Sequence, residues 1–256
     1  MIPTIFRSMM VGAPRLLARL YAINEFLGEI TPPRSILEIG PGLGDLTDHL
    51  LKRFPEAQIH LSEISAEAAK ILISRFEKEP RIIVSQIDRL FGETSSERFD
   101  LIIACEVFEH IQDDVTGFHA VSSLLERNGY FIFSAPCHMR KWQAADVFAG
   151  HYRRYERDEL TGKLQNAGLE IIRLWTFGYP TVNIIQPLRE LYYRTRNRAA
   201  TMDKQAATKK SGIDRPPWMR RAKWLVIAAM LPLLPLERRY WNSEHGDGYL
   251  VLARKR

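Results

Sequence analysis

Three glycines at every second position follow a short apolar segment and open an amphipathic one. The apolar segment is Ser35–Ile39, and the glycines are Gly40, Gly42 and Gly44. Glycine adopts positive φ at little cost and lets a ligand approach the backbone closely. The spacing differs from the Gly-x-Gly-x-x-Gly pattern of dinucleotide sites, because Asp45 follows the third glycine, and no Gly-Lys-Ser/Thr follows the turn. The turn therefore predicts a ligand other than a pyrophosphate.

Two carboxylates come directly after the next strand candidates. Glu63 follows Gln58–Ser62, and Asp88 follows Arg81–Ile87. A carboxylate at the first position can accept hydrogen bonds from both hydroxyls of a ribose, and one at the second can accept from an adenine amino group. Together with the glycine turn, these acids favour a nucleoside ligand.

A second group of polar residues follows the fourth strand candidate, Leu101–Cys105. If a helix begins near Glu106, then Glu109 and His110 lie on its face at i+3 and i+4. Two carboxylates and an imidazole can converge on a hard divalent ion such as Mg²⁺ or Mn²⁺. The alternative is that Glu109 begins the helix and His110 is a base or a packed residue without a metal.

Basic residues flank the end of the fifth strand candidate, and two interpretations stay open for them. They are His138, Arg140, Lys141, Arg153 and Arg154. They can bind a phosphate or a carboxylate on a substrate. Alternatively, the last two arginines form structural ion pairs with Glu156, Asp158 and Glu159.

Short apolar segments alternate with longer amphipathic ones from Ser35 onward, which predicts strands separated by helices. Parallel strands joined by helical crossovers form a doubly wound α/β sheet, and its ligands bind at the carboxyl ends of the strands. The predicted strands are Ser35–Ile39, Gln58–Ser62, Arg81–Ile87, Leu101–Cys105, Gly129–Ser134, Leu169–Trp175 and Gly248–Ala253. The predicted helices are Pro14–Leu27, Leu43–Phe54, Ala66–Lys78, Asp113–Leu125 and Asp158–Ala167.

A long connection from about Pro180 to His245 breaks this alternation. Its part from Arg189 to Lys223 holds eleven basic and three acidic residues, whereas the whole chain has a net charge of +6. The apolar run Trp224–Leu236 follows, within a helix expected over Pro217–Leu236, and it is too short to cross a bilayer. We expect a lid that docks on an anionic membrane surface. The alternatives are a solvated loop beside a core-packed apolar run, or a contact with RNA.

The composition of the 256 residues, 46% hydrophobic and 26% charged, is that of a soluble globular protein and excludes collagen, a wholly disordered chain and a multi-span membrane protein. The two cysteines, Cys105 and Cys137, are too few for a disulfide framework or a four-cysteine zinc site, which favours a reducing compartment. No signal peptide is recognised. We therefore expect a cytoplasmic protein with peripheral contact at the inner membrane surface.

Taken together, these motifs resemble the Rossmann-like, class I S-adenosylmethionine-dependent methyltransferases over roughly residues 30–180 and the final strand. The segments that carry the resemblance are Glu38–Gly44, Phe99–Ile111 and Leu124–Pro136. The resemblance implies a mostly parallel, seven-stranded sheet whose last strand is antiparallel, with a helical insertion before that strand. It also implies S-adenosylmethionine as the cofactor, with Glu63 on the ribose and Asp88 on the adenine side. The other implied cofactor-binding residues are Glu38, Gly40, Gly42, Gly44, Cys105 and Glu106.

The pattern Glu106-x-x-Glu109-His110 resembles that of ubiquinone-pathway O-methyltransferases and of small-RNA terminal 2′-O-methyltransferases. Both families place a further histidine after the fifth strand, where this chain has His151. The resemblance implies a divalent ion, Mg²⁺ or another, held by Glu106, Glu109, His110 and His151, which would lower the pKa of an acceptor hydroxyl. The candidate catalytic residues are His110, His151 and Glu106, and without a metal one of the two histidines is the general base.

Three functions stay open at this point. The leading hypothesis is O-methylation of a small or lipid-linked acceptor at a membrane. An RNA-modifying 2′-O-methyltransferase is less favoured, because no RNA-binding module is recognised, and a methyltransferase-like binding protein without turnover is the third hypothesis. The expected organisation is an N-terminal helical segment over 1–30, a cofactor-binding core over 31–180 and 246–256, and a lid over 181–245.

Overall fold

Seven strands form a single sheet in the computed structural model, which describes residues 6, 9–10, 12–86, 97–197 and 221–256. They are β1 (Ser35–Ile39), β2 (Gln58–Ser62), β3 (Ile82–Ser85), β4 (Phe99–Cys105), β5 (Leu125–Pro136), β6 (Leu169–Phe177) and β7 (Gly248–Lys255). Their order is β3-β2-β1-β4-β5-β7-β6. The first five strands pair in parallel, and β7 runs antiparallel to both of its neighbours. The predicted doubly wound sheet with an antiparallel last strand is confirmed.

Nine α-helices accompany the sheet in the described part of the chain. They are α1 (Pro14–Glu29), α2 (Asp45–Arg53), α3 (Ala66–Arg75), α4 (Asp114–Leu124), α5 (Ala144–Ala149), α6 (Arg157–Asn166), α7 (Thr181–Asn197), α8 (Lys223–Met230) and α9 (Leu234–Glu237). Short polar side chains begin two of them: Ser65 Oγ accepts from the Ala68 N–H before α3, and Asp113 does the same for Thr116 before α4. None of the described helices is long and apolar enough to span a bilayer.

The two faces of the sheet are covered by different parts of the chain. On one face, α1 packs together with the insertion, and the buried residues include Phe26, Ile227 and Trp241. Trp175 of β6 stacks on Trp241, with ring centroids 4.4 Å apart. On the other face, α4 and α6 bury residues such as Phe118 and Leu160 against the sheet. The N-terminal helix and the insertion therefore share one side of the molecule.

Two predicted elements differ from the structure. The predicted strand Gly129–Ser134 begins earlier, at Leu125, because the chain passes through Asn128 at φ 65° and shifts register against β4 instead of leaving the sheet. The helix expected over Pro217–Leu236 is seen as α8 and α9, separated by a turn next to Pro232. Residues 198–220, which include most of the basic stretch, lie outside the described residues.

Candidate active site

A cavity of about 720 Å³ opens at the carboxyl ends of β1 and β4, beneath a roof formed by α1, α7 and α8. Its floor contains the glycine turn and the polar residues that follow β4. The roof contributes mainly apolar side chains, together with two arginines from α1 and with an arginine and two tyrosines from α7. The residues that line the cavity include Gly40, Gly42, Cys105, Glu106, Glu109, His110, His151, Arg15, Arg19, Arg189, Tyr192 and Tyr193.

The glycine turn has the backbone that its sequence predicts. Gly40, Gly42 and Gly44 adopt φ of 65°, 58° and 78°, a region that side chains disfavour. A Cβ on Gly40 would lie 2.7 Å from Val107 Cγ2, and one on Gly44 would lie 2.8 Å from Phe76 Cε2. Larger residues would therefore disturb both the turn and its packing.

Glu63 is tied to the glycine turn by its carboxylate. It lies at the end of β2 and accepts hydrogen bonds from the N–H of Ser65, at 2.8 Å, and from the N–H groups of Gly42 and Ile64. Burial raises its pKa, and these donors partly oppose the shift. A carboxylate has about four acceptor sites, so capacity remains for a ligand hydroxyl. Asp88, the second predicted acid, lies outside the described residues.

Glu38 lies beneath the turn on β1 and accepts a hydrogen bond of 2.6 Å from the Thr47 hydroxyl of α2. It is 4% exposed, and burial raises its pKa to about 7. Cys105, at the end of β4, lines the cavity, and burial raises the pKa of its thiol to about 11. The thiol therefore stays protonated near neutral pH, where it is a poor nucleophile.

Glu106 does not begin a helix. It adopts φ 59°, and a single 3₁₀ turn over Phe108–His110 follows. Its carboxylate accepts from Arg15 Nε and Nη2 at 3.0 and 2.9 Å, and Arg19 Nη1 lies 3.5 Å away. Burial opposes ionisation, but the two arginines outweigh it and lower the pKa of Glu106 to about 2. The predicted helix with Glu106, Glu109 and His110 on one face is therefore wrong. Glu106 instead pairs with Arg15 and Arg19 of α1.

Glu109, His110 and His151 form a compact group on the cavity wall, in which each residue offers a ligand atom within 4.8 Å of the others. The two imidazole rings meet edge to face with centroids 4.7 Å apart, and His151 Nε2 lies 3.9 Å from Glu109 Oε1. Burial lowers the pKa of His110 to about 3. Burial, with Glu106 nearby, raises the pKa of Glu109 well above its ordinary value. Both carboxyl oxygens of Glu109 are buried without a hydrogen-bond partner among the described residues.

Asp146 of α5 completes this wall, and the sequence analysis missed it. Its Oδ1 lies 2.9 Å from His151 Nδ1, and the fully buried Arg154 donates to both of its oxygens at 3.0 Å. Although burial opposes ionisation, these donors lower the pKa of Asp146 to about 2. The carboxylate can then only accept, so His151 Nδ1 carries a proton. In the neutral imidazole, Nε2 is consequently the free basic nitrogen.

Two of the basic residues after β5, Arg153 and Arg154, form structural ion pairs, but with other acids than those predicted. Arg153 pairs with Asp114, and Arg154 pairs with Asp146 and, at 3.4 Å, with Asp247. The ion pairs expected with Glu156, Asp158 and Glu159 are therefore wrong for both arginines. Neither arginine is among the residues that line the cavity.

An ion pair between Arg15 and Asp247 connects α1 to the start of β7 at this site, and no sequence motif predicted either residue. Asp247 precedes β7, is fully buried, and accepts from Arg15 Nη1. Arg189 Nη1 lies 3.9 Å from the same carboxylate. Asp247 is a single acid between two glycines, and Arg15 is one arginine on a predicted helix, so neither residue type indicated a role in the site.

The sheet order, with its one antiparallel strand next to the edge, is that of the class I S-adenosylmethionine-dependent methyltransferases. Residues 13–174 match the family model described as a methyltransferase domain. This is more than half of the chain, and the protein belongs to that family.

Two relatives match shorter regions. Malonyl-[acyl-carrier protein] O-methyltransferase of Halalkalibacterium halodurans is 31% identical over 105 residues, covering 40% of this chain and 39% of that protein. Ubiquinone biosynthesis O-methyltransferase of Alkalilimnicola ehrlichii is 28% identical over 117 residues, covering 45% and 47%. The match therefore spans less than half the length of each of these relatives.

Solved structures share the fold at low sequence identity. N-methyltransferase NodS from Bradyrhizobium japonicum, in complex with S-adenosylhomocysteine, has a TM-score of 0.55 at 15% identity, covering 93% of this chain and 86% of that one. The [4+2]-cyclase SpnF has a TM-score of 0.59 at 14% identity, covering 92% and 80%. Because a cyclase shares it, the fold alone does not assign the reaction.

Proposed function

We propose that this protein transfers the methyl group of S-adenosylmethionine to an oxygen of a small or lipid-linked acceptor held in the cavity. The observation that carries the proposal is the Asp146–His151 pair, which presents a basic nitrogen in the same cavity as the glycine turn. An oxygen acceptor carries a proton that must leave, so it needs such a base. The names of the two relatives, both O-methyltransferases, support this choice of acceptor atom.

The glycine turn, Glu38, Cys105 and Glu106 provide the cofactor side of the proposed site, with Glu63 placed to accept from the ribose. When bound, S-adenosylmethionine supplies an electrophilic methyl carbon with a neutral thioether as leaving group. The roof of α1, α7 and α8 covers the reacting atoms and restricts water.

The proposed chemical step is an in-line displacement. The acceptor oxygen would take the methyl group from the sulfonium, which would leave as a thioether, and the hydroxyl proton would pass to His151 Nε2. Asp146 fixes the tautomer and supports the positive charge that develops on the imidazole, while Arg154 holds Asp146 in place. His110, whose pKa is lowered to about 3, packs edge to face against His151 and stays neutral.

A divalent ion is a second proposal for the same wall, and the residues fit it. Glu109, His110 and His151 would hold the ion, since their ligand atoms converge and both Glu109 oxygens lack a hydrogen-bond partner among the described residues. Glu106 leaves the expected ligand set, because it pairs with Arg15. Two imidazoles and one carboxylate suit Mn²⁺, Fe²⁺ or Zn²⁺ better than Mg²⁺. Such an ion would lower the pKa of an acceptor hydroxyl.

Peripheral contact with an anionic membrane is the third part of the proposal. Apolar side chains of the insertion are exposed beside the cavity roof, among them Ile184 at 70%, Leu191 at 61% and Leu225 at 76%. Basic residues lie close to them in sequence, including Arg194, Arg221 and Lys223. An apolar face rimmed by cations suits the headgroup region of a bilayer.

A methyl-transfer assay with methyl-labelled S-adenosylmethionine tests the proposed reaction. Cell extract is separated into lipid, small-molecule and RNA fractions, and each is incubated with the protein and with His151→Ala. We expect label in the lipid or small-molecule fraction, and its release by alkali would distinguish a methyl ester from a methyl ether. Label in RNA would select the nucleic-acid hypothesis. Cofactor binding without transfer to any fraction would select a binding protein.

A further inference from the structure

Arg189 is the first cation of the basic stretch, yet it lies in the cavity. It is carried by α7, and its side chain lines the cavity next to Tyr192 and Tyr193. The guanidinium lies over the Tyr193 ring, 5.8 Å from its centroid, which limits its orientation. Its Nη1 is buried and has no hydrogen-bond partner among the described residues.

The nearby acid cannot fully satisfy Arg189. Asp247 Oδ2 is 3.9 Å from Arg189 Nη1, beyond hydrogen-bond distance. The same carboxylate already accepts from Arg15 and lies 3.4 Å from Arg154 Nη1. Two arginines of this cluster therefore keep a buried donor without a hydrogen-bond partner among the described residues, Arg189 through Nη1 and Arg19 through Nε.

The buried cluster also carries an excess of positive charge. Its cations are Arg15, Arg19, Arg154 and Arg189, and its paired acids are Glu106, Asp146 and Asp247. Glu109 forms no ion pair with these arginines among the described residues, so the paired groups of the cluster are four cations and three acids. Burial and the neighbouring Arg15 lower the pKa of Arg189, and its Nη1 has no hydrogen-bond partner among the described residues. A half-buried cation with a buried, unpaired donor favours an anionic ligand.

We infer that the acceptor carries an anionic group, a carboxylate or a phosphate, which Arg189 binds while the apolar body of the acceptor lies against the roof. Apolar residues that line the cavity include Ile185 and Met230 of the roof, Phe148 of α5, and Leu233 in the turn after α8. This inference rests on the proposed function, because it takes the cavity to be the acceptor site. A guanidinium fits either anion, since it can donate two parallel hydrogen bonds.

The position of Arg189 separates it from the cofactor end of the cavity. Arg189 Nη1 lies 3.9 Å from Asp247, which in turn lies 3.4 Å from Arg154. Arg154 pairs with Asp146, which holds the proposed base. Arg19, by contrast, acts on Glu38 and Cys105 beside the glycine turn. Arg189 therefore faces the acceptor side, and Arg19 is better placed for the carboxylate of the cofactor.

Isothermal titration calorimetry tests the inference with three probes of equal chain length: decanoate, decyl phosphate and decanol. The protein is first saturated with S-adenosylhomocysteine, so that the probes cannot occupy the cofactor site. We expect one of the two anions to bind about tenfold or more tightly than decanol, because a charged hydrogen-bonded pair replaces a neutral one. The preferred anion identifies the group as a carboxylate or a phosphate.

Two substitutions locate the effect. Arg189→Gln should reduce the preference for the anion to within about threefold of decanol, and Arg189→Lys should keep part of it. Arg194→Gln is the matched control, since Arg194 lies on the same helix, is largely exposed and pairs with Glu190. It should leave the preference unchanged.

The outcomes are distinct. Decanol binding as tightly as both anions, or no measurable binding of either anion, overturns the inference, as does a preference that survives Arg189→Gln. A tenfold loss of S-adenosylhomocysteine affinity in Arg189→Gln, with the anion preference intact, would assign the residue to the cofactor instead. If the unaltered protein does not bind S-adenosylhomocysteine, the proposed function fails, independently of the anion result.

Discussion

Asp146 Oδ1 lies 2.9 Å from His151 Nδ1, and this contact determines which nitrogen of His151 is free to act. Arg154 donates to the same carboxylate and, with His151, overcomes burial to lower the pKa of Asp146 to about 2. The acid therefore remains an acceptor throughout the pH range of ordinary assays. The arrangement orients the imidazole before any acceptor binds, which is what a general base requires.

Removal of this base should lower the turnover number. We expect His151→Ala to reduce kcat by about 10²–10⁴ on an oxygen acceptor, the usual contribution of a general base. Asp146→Asn should reduce kcat less, because the imidazole remains but loses its fixed tautomer. Steady-state kinetics on the acceptor found by the methyl-transfer assay provides the measurement.

Two controls separate catalysis from folding in this experiment. Added imidazole should restore part of the activity of His151→Ala, because it can replace the missing base. It would not restore activity if the substitution only disturbed the fold. Asp158→Asn changes an exposed acid on the neighbouring helix α6 and should leave kcat unaltered. Unchanged kcat in His151→Ala would remove this residue as the base.

Substitution of Glu109 tests whether its carboxyl group binds a metal ion or is protonated and binds none. Glu109→Gln keeps the shape and the neutral charge that the raised pKa indicates, but it weakens a carboxylate ligand. If a divalent ion is bound, the variant should lose Mn²⁺ or Zn²⁺ affinity by at least about tenfold in a metal titration. Its activity should fall in parallel, and excess chelator should inactivate the unaltered protein. Full activity in chelator, with Glu109→Gln active as well, would contradict the metal proposal.

Glu63 should contribute to cofactor affinity. Glu63→Ala removes the proposed acceptor of the ribose hydroxyls and should weaken S-adenosylmethionine binding by roughly 1–3 kcal/mol in calorimetry. Since Glu63 also accepts from Ser65 and Gly42, part of that loss would come from a looser glycine turn, and Glu63→Gln would show a smaller one. Glu56→Ala, an exposed glutamate before β2, is the matched control. Equal affinities in all four proteins would rule out the ribose assignment.

The buried Glu38 should make stability depend on pH. Because burial raises its pKa to about 7, the folded state keeps the proton while the unfolded chain releases it near pH 4.5. The free energy of unfolding therefore falls as pH rises between these two values. Glu38→Gln removes this loss, so from about pH 5 to about pH 8 the variant should gain roughly 2–3 kcal/mol relative to the unaltered protein.

Urea denaturation without cofactor, repeated across this pH range, measures the difference. Glu67→Gln, an exposed glutamate on α3, should show the same pH dependence as the unaltered protein. Parallel stability curves for Glu38→Gln and the unaltered protein would mean that Glu38 ionises normally in the folded state.

The sequence predicted the parts of the site that depend on local pattern. Gly40 and Gly44 occupy positive φ, and Glu63 lies at the end of β2, because a strand, a turn and a helix follow each other within a few residues. The sheet could also be predicted from the sequence, because alternating strands and helices permit few topologies. The predicted position of Glu106 at the start of a helix is wrong, because a pattern of residue types does not reveal its positive φ.

The remaining parts of the site arise from contacts distant in sequence. Arg15 and Asp247 are separated by 232 positions, and their ion pair forms only when α1 and β7 meet beside β5. Arg189 belongs to a run of cations that predicts a solvent-exposed surface. It lines the cavity only because α7 packs over it. Neither residue has a motif, so only the folded chain identifies them.

The insertion should bind anionic vesicles through its exposed apolar residues. Trp224 and Leu225 are 49% and 76% exposed on α8, whereas Ile227 is 1% exposed and packs in the core. The test variant is therefore Trp224→Ser with Leu225→Ser, because a serine at Ile227 would disturb folding as well. Vesicle flotation should show binding that requires anionic lipid, weakens as salt screens the charges, and is largely lost in this double variant. Ile73→Ser, which removes an apolar side chain 56% exposed on α3, should bind like the unaltered protein. Absence of binding at low salt, or binding that the double substitution leaves intact, would contradict membrane docking.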